Sequence, residues 1–255
     1  MRSAAEATET EKLWYSVAMN IAERIERSKS TERIDFAAIG CLEQSDPLVK
    51  VEPSGKIMVG PVWTLPGDFE GGMYADYRAE HPEYDGIYVR PELLKRLEQA
   101  ANALDGQYKL VVRAGHRPIS VQRRLLNDCM QDYKDDHPGV SDQEALSHAR
   151  TYVSDPDNSL PPHCCGAAVD VELFDVSKNA LVDFGSAMNV DDDISFLHYD
   201  QITPEQKANR MLLLATMLDV GLASTAFEWW HFSYGDQVWA WFYGEEDSLY
   251  GLIEI

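Results

Sequence analysis

Residues 163–170 read His163-Cys164-Cys165-Gly166-Ala167-Ala168-Val169-Asp170, and far downstream the chain carries Glu228-Trp229-Trp230-His231. Two imidazoles and one carboxylate form a usual ligand set for catalytic zinc. Three protein ligands leave the fourth position open for water, and a further carboxylate nearby can take that water's proton. The spacings constrain the backbone. His163 and Asp170 are an odd number of residues apart, which in a regular strand puts side chains on opposite faces. For both to reach one metal, His163 must precede the strand, with Gly166 bending the chain between them. Pro161-Pro162 and Gly166 supply that punctuation, and Ala167 to Phe174 then alternates as a strand. Glu228 and His231 are also an odd offset apart, so a bulge or a strand-to-turn transition is expected at Trp229-Trp230. A core histidine beside an apolar strand is the bland reading of either motif alone. Both together, in this order, point to metal binding.

Working outward, Lys109 to Arg113 holds three consecutive aliphatics and reads as a central strand, ending at Arg113-Ala114-Gly115-His116-Arg117-Pro118. Ile87 to Arg90 is a short strand, and Pro91 opens a helix where its missing N–H costs nothing. That helix turns Leu93, Leu94, Leu97, Ala101 and Leu104 to the core and stops at Asp105-Gly106. Pro118 begins a helix to about Lys134. Ser141 with Glu144, and Thr203 with Gln206, read as capping boxes for helices through Tyr152 and to Gly221. Val176 to Asn179 turns the strand back into Ala180 to Phe184, and Ala223 to Tyr234 closes the core with aromatic-rich strands. Helices and strands mix without strict alternation, which predicts α+β, a mostly antiparallel sheet flanked by helices. An apolar stripe over residues 11–28 predicts a docked helix. It begins an N-terminal helical and loop-rich extension over residues 1–60, ahead of one catalytic domain over 61–255.

The 255 residues suit one domain, and 45% hydrophobic with 25% charged residues are ordinary for a globular chain. The net charge of −21 repels nucleic acid and anionic membrane, so neither is an expected partner. No apolar run approaches the ~18 residues of a membrane span. The polar, acidic start, Met1 to Lys12, lacks the features of a signal peptide, and a cytoplasmic location is expected. No residue pattern specifies an oligomeric state. The four cysteines make no disulfide framework. Cys164 and Cys165 read as small buried thiols. The alternative, a closed structural site of His163 with both cysteines, leaves Glu228 and His231 unexplained. His81, His137, His148 and His198 lie in polar surroundings and read as surface groups.

The pattern His-x-x-Gly-x-Ala-x-Asp followed by Glu-x-Trp-His resembles the zinc D-alanyl-D-alanine dipeptidases of the VanX type, within the wider murein D,D-peptidases of the M15 group. The resemblance covers about residues 70–234. It implies one zinc per chain held by His163, Asp170 and His231, with Glu228 as catalytic base, and a small peptide as substrate. The turn at Arg117-Pro118 resembles the family's Gly-Tyr-Arg-Pro turn, which makes Arg117 the arginine that stabilises the oxyanion. The alternative for an arginine before proline is a surface charge. Tyr74 matches a substrate-facing tyrosine, with a packed tyrosine as its alternative. His116 replaces the family tyrosine and is expected to line the cleft.

Three departures bear on specificity. Pro161 stands where the family has a serine, Ala114 where it has an aspartate, and Asn189 where it has the acidic residue facing the substrate's amine. Asp191 to Asp193 offer substitute charge, though such a run is usually a solvated loop. Hydrolysis of D-alanyl-D-alanine or a related short D-amino-acid peptide is the leading expectation. A murein-peptide D,D-carboxypeptidase is the nearest rival. A non-catalytic zinc-stabilised binding domain is the rival of another class, and it has no use for Glu228.

Overall fold

The computed structural model describes residues 19–32, 34–60, 77, 79–189 and 192–253. At its centre is strand β6, Ala168–Asp175. Period-two alternation sends Val169, Val171 and Leu173 into the main core, and so turns Asp170 and Glu172 to the opposite face. Strands β5 (Tyr108–Ala114) and β9 (His231–Ser233) flank β6, both antiparallel to it. Strand β3 (Ile57–Val59) adds parallel to β5 at one edge, and β8 (Ala223–Ser224) pairs antiparallel with β9 at the other. Strand β7 (Ala180–Leu181) folds back on the end of β6. Only the β3–β5 pairing is parallel in this sheet, in keeping with the α+β class read from the sequence.

Helices α2 (Pro91–Ala103) and α5 (Pro204–Asp219) cover the apolar face. Pro91 sits in the first turn of α2, and Leu93, Leu97 and Ala101 are buried with Leu110 and Val112 of β5. Helix α5 starts at the expected capping box of Thr203 and Gln206, and it buries Leu213, Leu214 and Met217. Burying a leucine of this kind contributes roughly 1.5–3 kcal/mol. Helices α3 (Ile119–Asp136) and α4 (Asp142–Tyr152) pair as a hairpin over a separate small cluster of Leu126, Ala149 and Val153. The capping box of Ser141 and Glu144 opens α4.

Helix α1 (Ile21–Arg27) is the described part of the helix expected over 11–28, and it packs on α5. The stretch expected to be loop-rich carries, besides β3, the short strands β1 (Gly40–Cys41) and β2 (Val49–Lys50). β2 pairs with β4 (Tyr88–Val89), and β1 pairs parallel with β10 (Asp247–Ser248) near the other end of the chain. Helix α6 (Gln237–Tyr243) and β10 have no sequence forecast. Asp236 caps α6 through the Trp239 N–H, and the helix buries Trp239 and Phe242 in the main core. Ala223 to Tyr234 is strand only at its ends, because residues 225–230 leave the sheet in turns. Tyr74, Asp191 and the start of the 11–28 stretch lie outside the described residues.

Candidate active site

The bend required before Asp170 is a 3₁₀ turn, Pro162–Cys165, closed by Gly166 at φ +67. A side chain at 166 would be strained there, and its Cβ would sit 2.5 Å from Leu48 Cδ2. On the far side, β5 bulges between Val112 and Ala114, which sets Ala114 opposite Asp170. The chain then turns through Gly115, where a Cβ would lie 2.5 Å from the Tyr88 carbonyl. The two turns hold each other. His163 Nδ1 is 2.8 Å from the Gly115 carbonyl, and the Arg117 N–H donates to the His163 carbonyl at 3.0 Å. A carbonyl only accepts, so the His163 proton sits on Nδ1 and the lone pair on Nε2.

That Nε2 lies 3.4 Å from Asp170 Oδ1, and His231 Nδ1 lies 3.2 Å from the same oxygen. Asp170 and His231 are direct cross-strand partners, so register alone brings them together. His163, Asp170 and His231 are all buried, each with a ligand atom within 4.8 Å of the others. The two imidazoles meet edge to face at 4.9 Å. Burial would raise the Asp170 carboxyl, but the two imidazoles outweigh it and hold it well below the usual carboxylate range. Burial lowers His163. For His231 burial is outweighed by the Asp170 carboxylate, helped by the charges of Glu228 and Asp236, and its pKa is raised. The trio is a compact, buried donor set of two nitrogens and an oxygen, which suits a divalent cation of borderline softness.

The Glu228 offset is resolved by a turn rather than a bulge. The His231 N–H reaches back to the Glu228 carbonyl at 3.4 Å, which brings Glu228 Oε2 to 3.8 Å from His231 Nδ1. Its side chain is 39% exposed, against 7% for His231. Arg117 is buried, with Nη1 donating to Gln122 Oε1 at 2.7 Å, so it is not a surface charge. Gln122, on α3, donates in turn to the Ser154 carbonyl at 2.8 Å.

His116 is buried, and the Tyr84 hydroxyl approaches its Nδ1 at 3.1 Å and bonds its carbonyl. Burial, helped by the charges of Arg90 and Arg117, pushes His116 down to about 3. Asn189 is half-exposed at φ +56, a backbone region asparagine tolerates. Cys164 and Cys165 are fully buried free thiols; burial pushes Cys164 up to about 12 and Cys165 well above its ordinary value. Neither belongs to the His163–Asp170–His231 group that could hold a metal, which supports the small-thiol reading. His198, read as a surface group, is half-buried with Nε2 2.8 Å from Ser28 Oγ. Gln122 and the Gly115 carbonyl went unread in the sequence, because each acts through a contact that no motif encodes.

No helix among the described residues is long and apolar enough to cross a membrane. In sequence the chain is 29% identical to a D-alanyl-D-alanine dipeptidase of Synechocystis sp., over 80% of this chain and 92% of that one. It is 27% identical to the D-alanyl-D-alanine dipeptidase of Enterococcus faecium, over 60% and 74% respectively. The likeness to the solved vancomycin resistance D,D-pentapeptidase VanY in complex with Zn(II) is slight, with 19% identity over 63% of this chain and 81% of that chain and a TM-score of 0.35. A family model described as D-ala-D-ala dipeptidase matches residues 90–247, most of the chain, and the protein belongs to that family, the M15 metallopeptidases.

Proposed function

We propose that this protein is a zinc-dependent dipeptidase that hydrolyses D-alanyl-D-alanine or a related short D-amino-acid peptide. The observation that carries the reading is the convergence of His163, Asp170 and His231, with Glu228 Oε2 3.8 Å from His231 Nδ1. The donor set fits zinc in number, type and burial, and the Gly115 carbonyl orients the His163 ring as an outer partner of a ligand should. When bound, zinc supplies a Lewis acid that polarises the scissile carbonyl and acidifies a water. Glu228, more open than the three ligand residues, takes a proton from the attacking water and returns one to the leaving amine. Arg117 meets the negative charge that develops on the carbonyl oxygen. Gln122 fixes its guanidinium in advance, so little reorganisation is needed in the transition state. The dipeptidase names of the relatives support the substrate class.

A D,D-carboxypeptidase acting on a longer acyl chain is the second reading. It is favoured by the neutral Asn189, which gives a free amine no counter-charge. Turnover of free D-alanyl-D-alanine by the zinc-loaded protein, set against an N-acylated version, tests the proposal. The free dipeptide should be cut faster. Preference for the acylated peptide supports the second reading, and hydrolysis of neither overturns both.

A further inference from the structure

Glu228 is joined to the strand that follows it by the turn bond from the His231 N–H to its carbonyl. The residues on either side of it are tied as well to two stretches of chain, residues 184–186 and 194–197. The Trp229 N–H donates to the Ser195 carbonyl at 3.0 Å, and Ser195 Oγ donates to the Phe227 carbonyl at 3.0 Å. The Leu197 N–H donates to the Ala226 carbonyl at 3.0 Å. The Trp229 indole donates to Ser186 Oγ at 3.0 Å and stacks on Phe184 at 4.2 Å. Phe227 and Phe196 meet edge to face at 5.5 Å. Residues on both sides of Glu228 are therefore fixed to the same support.

One side chain bonds both stretches. Arg210, on α5 and 1% exposed, donates from Nε to the Phe184 carbonyl at 2.7 Å, from Nη1 to Phe196 at 2.5 Å and from Nη2 to Ile194 at 2.8 Å. Its guanidinium also lies 5.8 Å from the centre of the Trp229 ring. Among the described residues no carboxylate pairs with it, and burial lowers it to about 10. A buried cation is costly, and an apolar residue could fill the same volume. What an apolar residue cannot do is bond three carbonyls from two separate stretches at once.

We propose that Arg210 is a positioning residue for Glu228, clamping the stretches at residues 184–186 and 194–197 that in turn fix residues 226–229. The proposal rests on Glu228 being the base, as argued above. The experiment compares Arg210→Met, Arg210→Lys and the milder Ser195→Ala, each in the wild-type and Glu228→Gln backgrounds, with zinc content and D-alanyl-D-alanine kinetics measured. Misplacing a catalytic group by an ångström from a distance can cost about 10²-fold. In the wild-type background kcat should fall by roughly 10–10²-fold for either Arg210 variant, and less for Ser195→Ala, with KM and zinc content held. In the Glu228→Gln background the same substitutions should change kcat by no more than about twofold, since groups acting through one another are not additive.

Amide hydrogen exchange reads the clamp without activity. Trp229 and Leu197 amides should lose protection in the Arg210 variants, while the Val171 amide, bonded to the Trp230 carbonyl, keeps it. Equal fold-losses in both backgrounds, or unchanged exchange at Trp229 and Leu197, overturn the proposal. If Glu228→Gln alone keeps full turnover, it is the reading of the base that fails, and the exchange data still decide whether the clamp exists. Should Arg210→Met not fold, Arg210→Lys and Ser195→Ala carry the same comparison.

Discussion

At the scale of single residues, the ligand trio sets the sharpest expectation. The purified protein should carry one zinc per chain, and His163→Ala and His231→Ala should each lose it, as elemental analysis will show; unchanged stoichiometry in both would remove the assignment. Glu228→Gln should keep its zinc and lose on the order of 10²–10⁴-fold in turnover, the usual worth of acid–base catalysis. Loss of metal along with activity would instead make Glu228 a ligand. Arg117 meets charge that exists only in the transition state, so Arg117→Ala should lower kcat far more than it raises KM, at normal zinc content. Arg117→Lys should rescue poorly, since an ammonium cannot reproduce the fork that Gln122 holds. Wild-type turnover in Arg117→Ala would pass the oxyanion role to another group.

At the scale of elements, the site is made where strands stop being strands. The corner after β5 is tight enough to exclude any side chain at Gly115, and its carbonyl orients His163. Gly115→Ala should therefore weaken zinc binding by about 10–100-fold, the usual cost of disturbing a partner behind a ligand, measurable by competition with a chelator. Gly55→Ala, where an added Cβ meets nothing within 4 Å, should leave affinity unchanged. Much of this element-level design was legible beforehand. The odd spacing from His163 to Asp170 required a bend at Gly166, and that spacing is a property of the sequence itself. The capping boxes at Ser141 and Thr203 were readable because caps are local chemistry. Helix α6 and β10 were not. Gln237-Val238-Trp239-Ala240-Trp241-Phe242-Tyr243 is apolar nearly all round, so it carries no helical stripe, and β10 exists only because β1 lies beside it. Arg210 was hidden for a related reason: an arginine in a helix gives no sign that three distant carbonyls await it.

At the scale of the molecule, stability should depend on acid through His116. Its folded pKa is about 3 against an ordinary 6.5, so between those values the unfolded chain binds a proton that the folded chain refuses. Stability is then lost as pH falls below about 6.5, by up to about 1.4 kcal/mol per pH unit from this group. Asp236 works the other way. Burial raises it from 3.8 to about 6, so the folded state keeps its proton longer and gains stability as pH falls through that window. Denaturant titrations of wild type and His116→Gln separate the two. The stability gap between them should narrow as pH drops from 7 to 4.5, and a constant gap would mean that His116 takes up its proton in the folded state. One last feature bears on how such a chain can change. The α3–α4 hairpin rests on its own small cluster of Leu126, Ala149 and Val153, apart from the main core. Its tip can lengthen, shorten or acquire a new surface without sending any disturbance through the sheet. Its base has no such freedom, because Gln122 joins Arg117 to the Ser154 carbonyl there. The hairpin is a graft whose outer end is open to variation and whose root is bound to the chemistry.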